Sequence, residues 1–342
     1  VDFSPIFIVG FARSGTTMLA TMLDRHSKIA VTPETHFFNQ FYANAANNFS
    51  PKKDGVEALL ATPRILDLGV GREAILNEFE KFDCDYPGLL SATLEAYRNK
   101  QGKDFVIEKT PAHLPYVPII FEWFPNARII YIERDGRDAA MSLMRMPWSH
   151  RNLRRHARMW RWCVGRAEKF QQQYSDRWHT VQYEALVRQP DRELDRICSF
   201  LDIDREESQL DQTVPTDVVP EWEQVWKDNA ANDHVHTGRI QDWRAAGSKT
   251  QLLIMNTMMG AALRARDYPE TRPPNANPLK RIVNATKNGW YLVAYHPRIR
   301  PTLARIRRLI LQRPGADKPD VVGEDACAQW HRENNTRDRI GE

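Results

Sequence analysis

Between Gly10 and Thr17 the chain reads Gly-Phe-Ala-Arg-Ser-Gly-Thr-Thr, behind the apolar run Phe7-Ile8-Val9 and ahead of the helical pattern Leu19, Met22, Leu23. This is a strand entering a helix through a turn of phosphate size. Gly10 and Gly15 let the backbone curl, so the amides from Arg13 to Thr17 converge on an anion at the helix N-terminus, where the helix dipole also favours negative charge. A second anion site is written around Arg134 and Ser142. An arginine at a strand end and a serine about two helical turns later reach one anion if the loop between them folds back.

The elements that must carry these residues alternate. Ile29-Ala30-Val31 leads into Thr32-Pro33-Glu34-Thr35-His36; Phe105-Val106-Ile107 ends in Glu108-Lys109-Thr110-Pro111; Arg128-Ile129-Ile130-Tyr131-Ile132 ends in Glu133-Arg134-Asp135. Each strand delivers polar residues where the first delivers its loop. Helical patterns follow from Arg137 to about Arg145, from about Leu153 to Tyr174 and near Asp191 to Leu201, with a further strand at His179 to Tyr183. Strands alternating with helices predict an α/β fold with a central parallel sheet and crossover helices.

Residues 44–103 carry amphipathic helical patterns and are expected to form a helical insertion that shapes an acceptor pocket. The aromatic residues Phe49, Tyr86, Tyr97, Trp148, Trp222 and Trp226 are the expected lining. One domain is expected over residues 1–270, closed by a helix from Lys249 to about Arg264. Residues 271–342 form an extension with a basic amphipathic helix from Ile299 to Leu311, read first as packed on the domain and second as a peripheral membrane or partner contact.

Of the 342 residues 27% are charged and 42% hydrophobic, a globular composition. The net charge of +4 suits an anionic ligand but is too small to argue for nucleic acid. Cys84, Cys163, Cys198 and Cys327 are scattered without metal-ligand spacing and are read as free thiols, so no metal is expected. No apolar run is long enough to span a bilayer. The expected location is cytoplasmic, or a Golgi lumen if an anchor precedes Val1.

The first loop resembles the nucleoside-triphosphate P-loop, G-x-x-x-x-G-K-[ST], but Thr16 stands where that motif has its lysine, so no triphosphate is implied. With Arg13-Ser14-Gly15-Thr16-Thr17-Met18 it is similar to the 5′-phosphosulfate loop of sulfotransferases, which bind 3′-phosphoadenosine 5′-phosphosulfate (PAPS) and release the bisphosphate PAP. The stretch from Tyr131 to Ser142 resembles the 3′-phosphate motif of that family, in which Arg134 and Ser142 would hold the 3′-phosphate. The resemblance extends to Val181-Gln182-Tyr183-Glu184, where Tyr183 would contact the adenine, and to Phe124-Pro125-Asn126-Ala127. It implies the P-loop-like sulfotransferase fold and sulfuryl transfer from PAPS to an acceptor hydroxyl of a glycan or small metabolite, with a lipid or peptide as further acceptor classes.

Within that resemblance Lys109 takes the position of the family's catalytic lysine, and with Arg13 it would stabilise the leaving phosphate. The acceptor hydroxyl must lose its proton as it attacks sulfur, so a base is required. Glu34 is the first choice, because Pro33-Glu34-Thr35-His36-Phe37-Phe38-Asn39 resembles the base-bearing segment of glycan and tyrosyl-protein sulfotransferases. His113 is the second. Pro111-Ala112 separates Lys109-Thr110 from His113-Leu114-Pro115, where cytosolic relatives have an uninterrupted K-T-H-L-P. Near His236-Thr237-Gly238-Arg239, Arg239 would add a further contact to the 3′-phosphate. A nucleotide kinase and a non-catalytic nucleotide-binding module are the alternatives.

Overall fold

The computed structural model describes residues 3–43, 51–227 and 237–269. The apolar runs form five parallel strands: β1 (Ile6–Gly10), β2 (Ile29–Val31), β3 (Phe105–Lys109), β4 (Arg128–Glu133) and β5 (Trp178–Gln182). Their order is β2-β3-β1-β4-β5. The sheet is therefore parallel, as the alternation predicts, with β1 at its centre. Chain connections run to one side of β1 for β2 and β3 and to the other for β4 and β5. A parallel sheet opens a ligand crevice at such a reversal, outside the carboxyl ends of its strands.

Register fixes what lines that crevice. Ile8 pairs with Lys109 on one side of β1 and Gly10 pairs with Ile132 on the other. Polar residues leaving β3 and β4 thus flank the loop that leaves β1. Gly10 is required there, since a Cβ would stand 2.7 Å from the carbonyl oxygen of Ile132.

β1 is buried throughout, and side-chain alternation feeds two cores. Phe7 and Val9 pack with Val106, Ile129, Tyr131 and the helices of the insertion; Ile6 and Ile8 pack with Leu19, Leu23, Ile107, Ile130 and Leu194. The described part of the insertion is helical, as expected: Pro51–Leu60, Pro63–Leu66, Arg72–Phe79 and Tyr86–Gln101. Asp85 caps the last of these by accepting from the Gly88 amide at 2.7 Å. Tyr97 is a correction to the expected pocket: it is 1% exposed, buried in the first core, and donates to the carbonyl of Val31 at 3.2 Å. A tyrosine at a helix position facing the sheet joins the core when its hydroxyl finds a backbone acceptor. Phe49, the Trp226 side chain and the whole 271–342 extension with its basic helix lie outside the described residues.

The chain divides into two compact units, residues 1–139 with 159–242, and 140–158 with 243–342. The first holds the sheet. In the second, a helix at Lys249–Arg264 begins at Ser248, whose hydroxyl accepts from the Gln251 amide in a capping box, and buries Met255, Met258, Met259 and Leu263. Cys84, Cys163 and Cys198 are free thiols. Among the described residues no helix is long and apolar enough to cross a membrane.

Candidate active site

The loop after β1 has the geometry its residues predict. Gly15 takes φ +94° and caps the helix Thr16–Asp24 without a side-chain cap, while Arg13 also sits at positive φ, +68°. Two left-handed residues two apart turn successive amides inward, a concavity that suits an anion. Ser14 is fully buried, and its hydroxyl has no hydrogen-bond partner among the described residues. A buried hydroxyl without a partner at the mouth of such a loop is a donor waiting for an acceptor. Thr16 is buried beside it, and Thr17 and Met18 are half-buried.

Tyr183, the first residue after β5, stands over Gly15: a Cβ on Gly15 would lie 2.4 Å from its Cδ2. The ring also meets Arg134, whose guanidinium carbon is 4.3 Å from the ring centroid. Burial pushes the Tyr183 hydroxyl pKa up, against the opposing charges of Arg134 and Arg239. Arg134 donates from Nη1 to the carbonyl of Arg13 at 3.0 Å and from Nη2 to the carbonyl of Arg239 at 2.6 Å. Its buried Nε has no partner among the described residues. Arg239 is exposed; its backbone carbonyl accepts from Arg134, and its positive charge bears on the Tyr183 hydroxyl.

The turn after β4 is held rigidly. Trp160 donates to the carbonyl of Arg134 at 3.0 Å, and its ring lies where a Cβ on Gly136 would stand, 2.3 Å away. Asp135 forms a buried bidentate pair with Arg137, and Asp138 accepts from the Gln241 amide at 2.8 Å. Ser142 is half-buried on the helix Gly136–Met144 and belongs to the second unit, Arg134 to the first.

On the other flank of the loop, Lys109 is 0% exposed and its Nζ lies 3.2 Å from Glu34 Oε1. The second oxygen of Glu34 is 3.3 Å from His36 Nε2, and His36 Nδ1 is 3.0 Å from Asn39 Nδ2. The structure thus brings together the lysine and the glutamate that the sequence singles out, 75 residues apart in the chain. A carboxylate that accepts from Lys109 on one oxygen and has His36 near the other, with 17% of its side chain exposed, is oriented and still accessible.

His113, the second candidate base, is placed otherwise. Its ring is fully buried: Nε2 accepts from the Phe38 amide at 3.3 Å, so Nδ1 carries the proton and donates to Glu108 Oε2 at 2.9 Å. With both nitrogens engaged in the interior, His113 serves the scaffold.

Glu108 is the residue sequence reasoning missed. Its Oε1 accepts from Thr35 at 2.7 Å and from Thr110 at 2.5 Å, so one buried carboxylate ties the neighbour of Glu34 to the neighbour of Lys109. Burial alone would raise its pKa, but His113 and the two threonine hydroxyls outweigh it and hold the carboxyl below its ordinary value. A carboxylate next to the end of an otherwise apolar strand, on the same face as Val106, was the signal available.

A phosphate-sized loop at the central strand of a parallel sheet, flanked by a lysine–glutamate pair and an arginine, is the anion-binding arrangement of the phosphate-loop α/β class. The chain belongs to the sulfotransferase family, whose model matches residues 5–207, more than half of it. It is 24% identical over 204 residues to the protein-tyrosine sulfotransferase of Drosophila melanogaster, covering 58% of this chain and 38% of that protein. Against protein-tyrosine sulfotransferase A of Caenorhabditis elegans it is 22% identical over 301 residues, covering 84% of this chain and 75% of the relative. In fold it is similar to the sulfotransferase domain of the Synechococcus PCC 7002 olefin synthase, with a TM-score of 0.55 at 22% identity over 78% of this chain and 96% of that one. The sulfotransferase domain of the curacin biosynthetic pathway gives 0.56 at 18% identity, over 78% and 99%. The sheet and its crossover helices are therefore the sulfotransferase fold. The loop at Arg239 lies beyond the matched family region.

Proposed function

We propose that this chain transfers the sulfuryl group of PAPS to the hydroxyl of an acceptor, leaving PAP. The observation that carries this reading is the Lys109–Glu34 pair at 3.2 Å beside a loop whose buried Ser14 hydroxyl has no partner among the described residues. The Ser14 amide is committed to the Phe11 carbonyl at 3.2 Å, so the amides of Gly15 to Thr17 and the Ser14 hydroxyl would grip the 5′-phosphosulfate, and Tyr183 would carry the adenine. Arg134, through its remaining N–H groups, would receive the 3′-phosphate.

Glu34 takes the proton of the acceptor hydroxyl as that oxygen bonds to sulfur. The bond from sulfur to the bridging oxygen breaks, and its electron pair stays on the phosphate of PAP. Lys109 and Arg13 oppose the charge that develops there, electrostatic stabilisation in a water-poor site. With Lys109 and Glu34 in contact before substrate arrives, each holds the other in the orientation the transfer needs.

The acceptor is a hydroxyl-bearing molecule. The names of the relatives make a tyrosine in a protein the first to try, and sugars and small alcohols the next. Radiosulfate-labelled PAPS with tyrosine peptides, glycans and small alcohols tests the reading: transfer to any of them supports it. PAP binding by an enzyme that sulfates none of them supports the non-catalytic module, and tighter binding of Mg-ATP than of PAP supports a kinase. Glu34→Gln should abolish turnover and leave PAP affinity within about twofold. Unchanged turnover would remove Glu34 from the role of base.

A further inference from the structure

We infer that Arg134, besides its proposed contact with a 3′-phosphate, is a positioning residue for the 5′-phosphate loop, so that the two anion sites form one mechanical unit. The inference rests on the reading of the site as a PAPS site, but its supports are contacts of this chain alone.

Arg134 reaches three structures at once. Its Nη1 holds the carbonyl of Arg13, inside the loop that follows β1; its Nη2 holds the carbonyl of Arg239, in the segment after residue 236; its planar face lies on Tyr183. The Arg13 contact matters most. Arg13 is a non-glycine residue at φ +68°, a conformation L-residues adopt only where the surroundings impose it. Its carbonyl points to Arg134, and the adjoining peptide presents the Ser14 amide, which donates to the Phe11 carbonyl at 3.2 Å. A charge-assisted hydrogen bond from a buried guanidinium is a strong local restraint on that peptide.

The anchor itself does not move freely. The carbonyl of Arg134 accepts from Trp160, and the next residue, Asp135, accepts from its neighbour Arg137 through both carboxylate oxygens while its amide donates to Glu184 at 2.9 Å. The loop bearing Arg239 is fastened a second time where the Gln241 amide meets Asp138. A guanidinium has five N–H donors in a fixed fork, and two serve carbonyls here. The buried Nε, which has no partner among the described residues, and the remaining Nη hydrogens are available in number to an anion without release of either carbonyl.

If Arg134 served only a 3′-phosphate, removing it would leave untouched the binding of a ligand that lacks one. A bracket predicts otherwise. The test compares wild type, Arg134→Ala and Arg134→Lys by calorimetric titration with PAP and with 5′-AMP. Hydrogen exchange of the ligand-free proteins over residues 11–18 runs alongside, with melting temperatures to establish that each variant is folded.

The expected result for Arg134→Ala is a loss of about tenfold or more in affinity for 5′-AMP, which never touches a 3′-phosphate site, and faster exchange over 11–18 without ligand. Arg134→Lys keeps a charge but not the fork; it should recover part of the preference for PAP over 5′-AMP while 5′-AMP itself stays weakened. The inference is overturned if Arg134→Ala binds 5′-AMP within twofold of wild type and exchange over 11–18 is unchanged, PAP alone being lost. If wild type binds neither nucleotide, the PAPS reading fails. Exchange over 11–18 then decides the bracket by itself, faster exchange in a folded Arg134→Ala supporting it and unchanged exchange refuting it.

Discussion

Gly15→Ala separates backbone strain from the placement of Tyr183, because the chain supplies a matched control. Gly15 and Gly102 both sit at positive φ, +94° and +64°. A methyl on Gly102 meets nothing within 4 Å, whereas one on Gly15 would stand 2.4 Å and 2.9 Å from two carbons of the Tyr183 ring. Gly102→Ala should therefore cost only the strain of a left-handed alanine, roughly 1–2 kcal/mol. Gly15→Ala adds an overlap with a ring that is wedged beneath Arg134, an overpacking cost of about 1–3 kcal/mol, for a total near 3 kcal/mol. Urea unfolding of the two variants measures the difference at constant m-value. Displacing the ring should also weaken PAP by about tenfold, the scale of one base–aromatic stack, while Gly102→Ala leaves PAP affinity unchanged. The reasoning is refuted if the two variants match wild type in PAP affinity and each other in stability.

Two titrations act in opposite directions. Half-buried Asp24 accepts from the Val31 amide at 2.8 Å, and burial raises its pKa from 3.8 to about 6, against the pull of that amide and of Lys103. The folded state then holds the proton more tightly than the unfolded chain, so stability falls as pH rises from about 4 to 6; Asp24→Asn should flatten that slope and gain about 2 kcal/mol at pH 7, read by denaturant unfolding across pH. Glu108 has the opposite sign: its lowered pKa contributes stability at neutral pH that disappears as pH falls through the folded value. Glu108→Gln should lose about 2–3 kcal/mol at pH 7 and lack that acid limb, and a variant as stable as wild type would show that the threonine and histidine contacts contribute little.

The sequence carried the sheet because each strand is a short apolar run ending in polar residues, and the loop because glycine and small side chains at Gly10 and Gly15 have few other uses. Glu34 and Lys109 were legible as chemistry, and their contact followed once β2 and β3 lay side by side. The scaffold beneath them was not. Glu108 tying Thr35 to Thr110 depends on the pairing of strands more than 70 residues apart, which no local pattern states. His113 reads as a base in isolation, and only the Phe38 amide and Glu108 disclose that it braces the interior. The sequence offers Arg134 only as a candidate anion ligand; its partners in the fold are the carbonyls of Arg13 and Arg239, and a main-chain acceptor leaves no mark in side-chain identity.

The helical segment between β2 and β3 leaves and rejoins the sheet at neighbouring strands, with the amides of Asp104 and Phe105 both closing on the carbonyl of Lys28. Because β2 and β3 run parallel, the segment leaves at the carboxyl end of β2 and returns to the amino end of β3, where Lys28 marks the start of β2. A foreign set of helices in place of residues 51–101, presenting the same oily underside and leaving Glu34, Thr35 and His36 where they stand, would keep the first core closed and the Lys109–Glu34 pair intact.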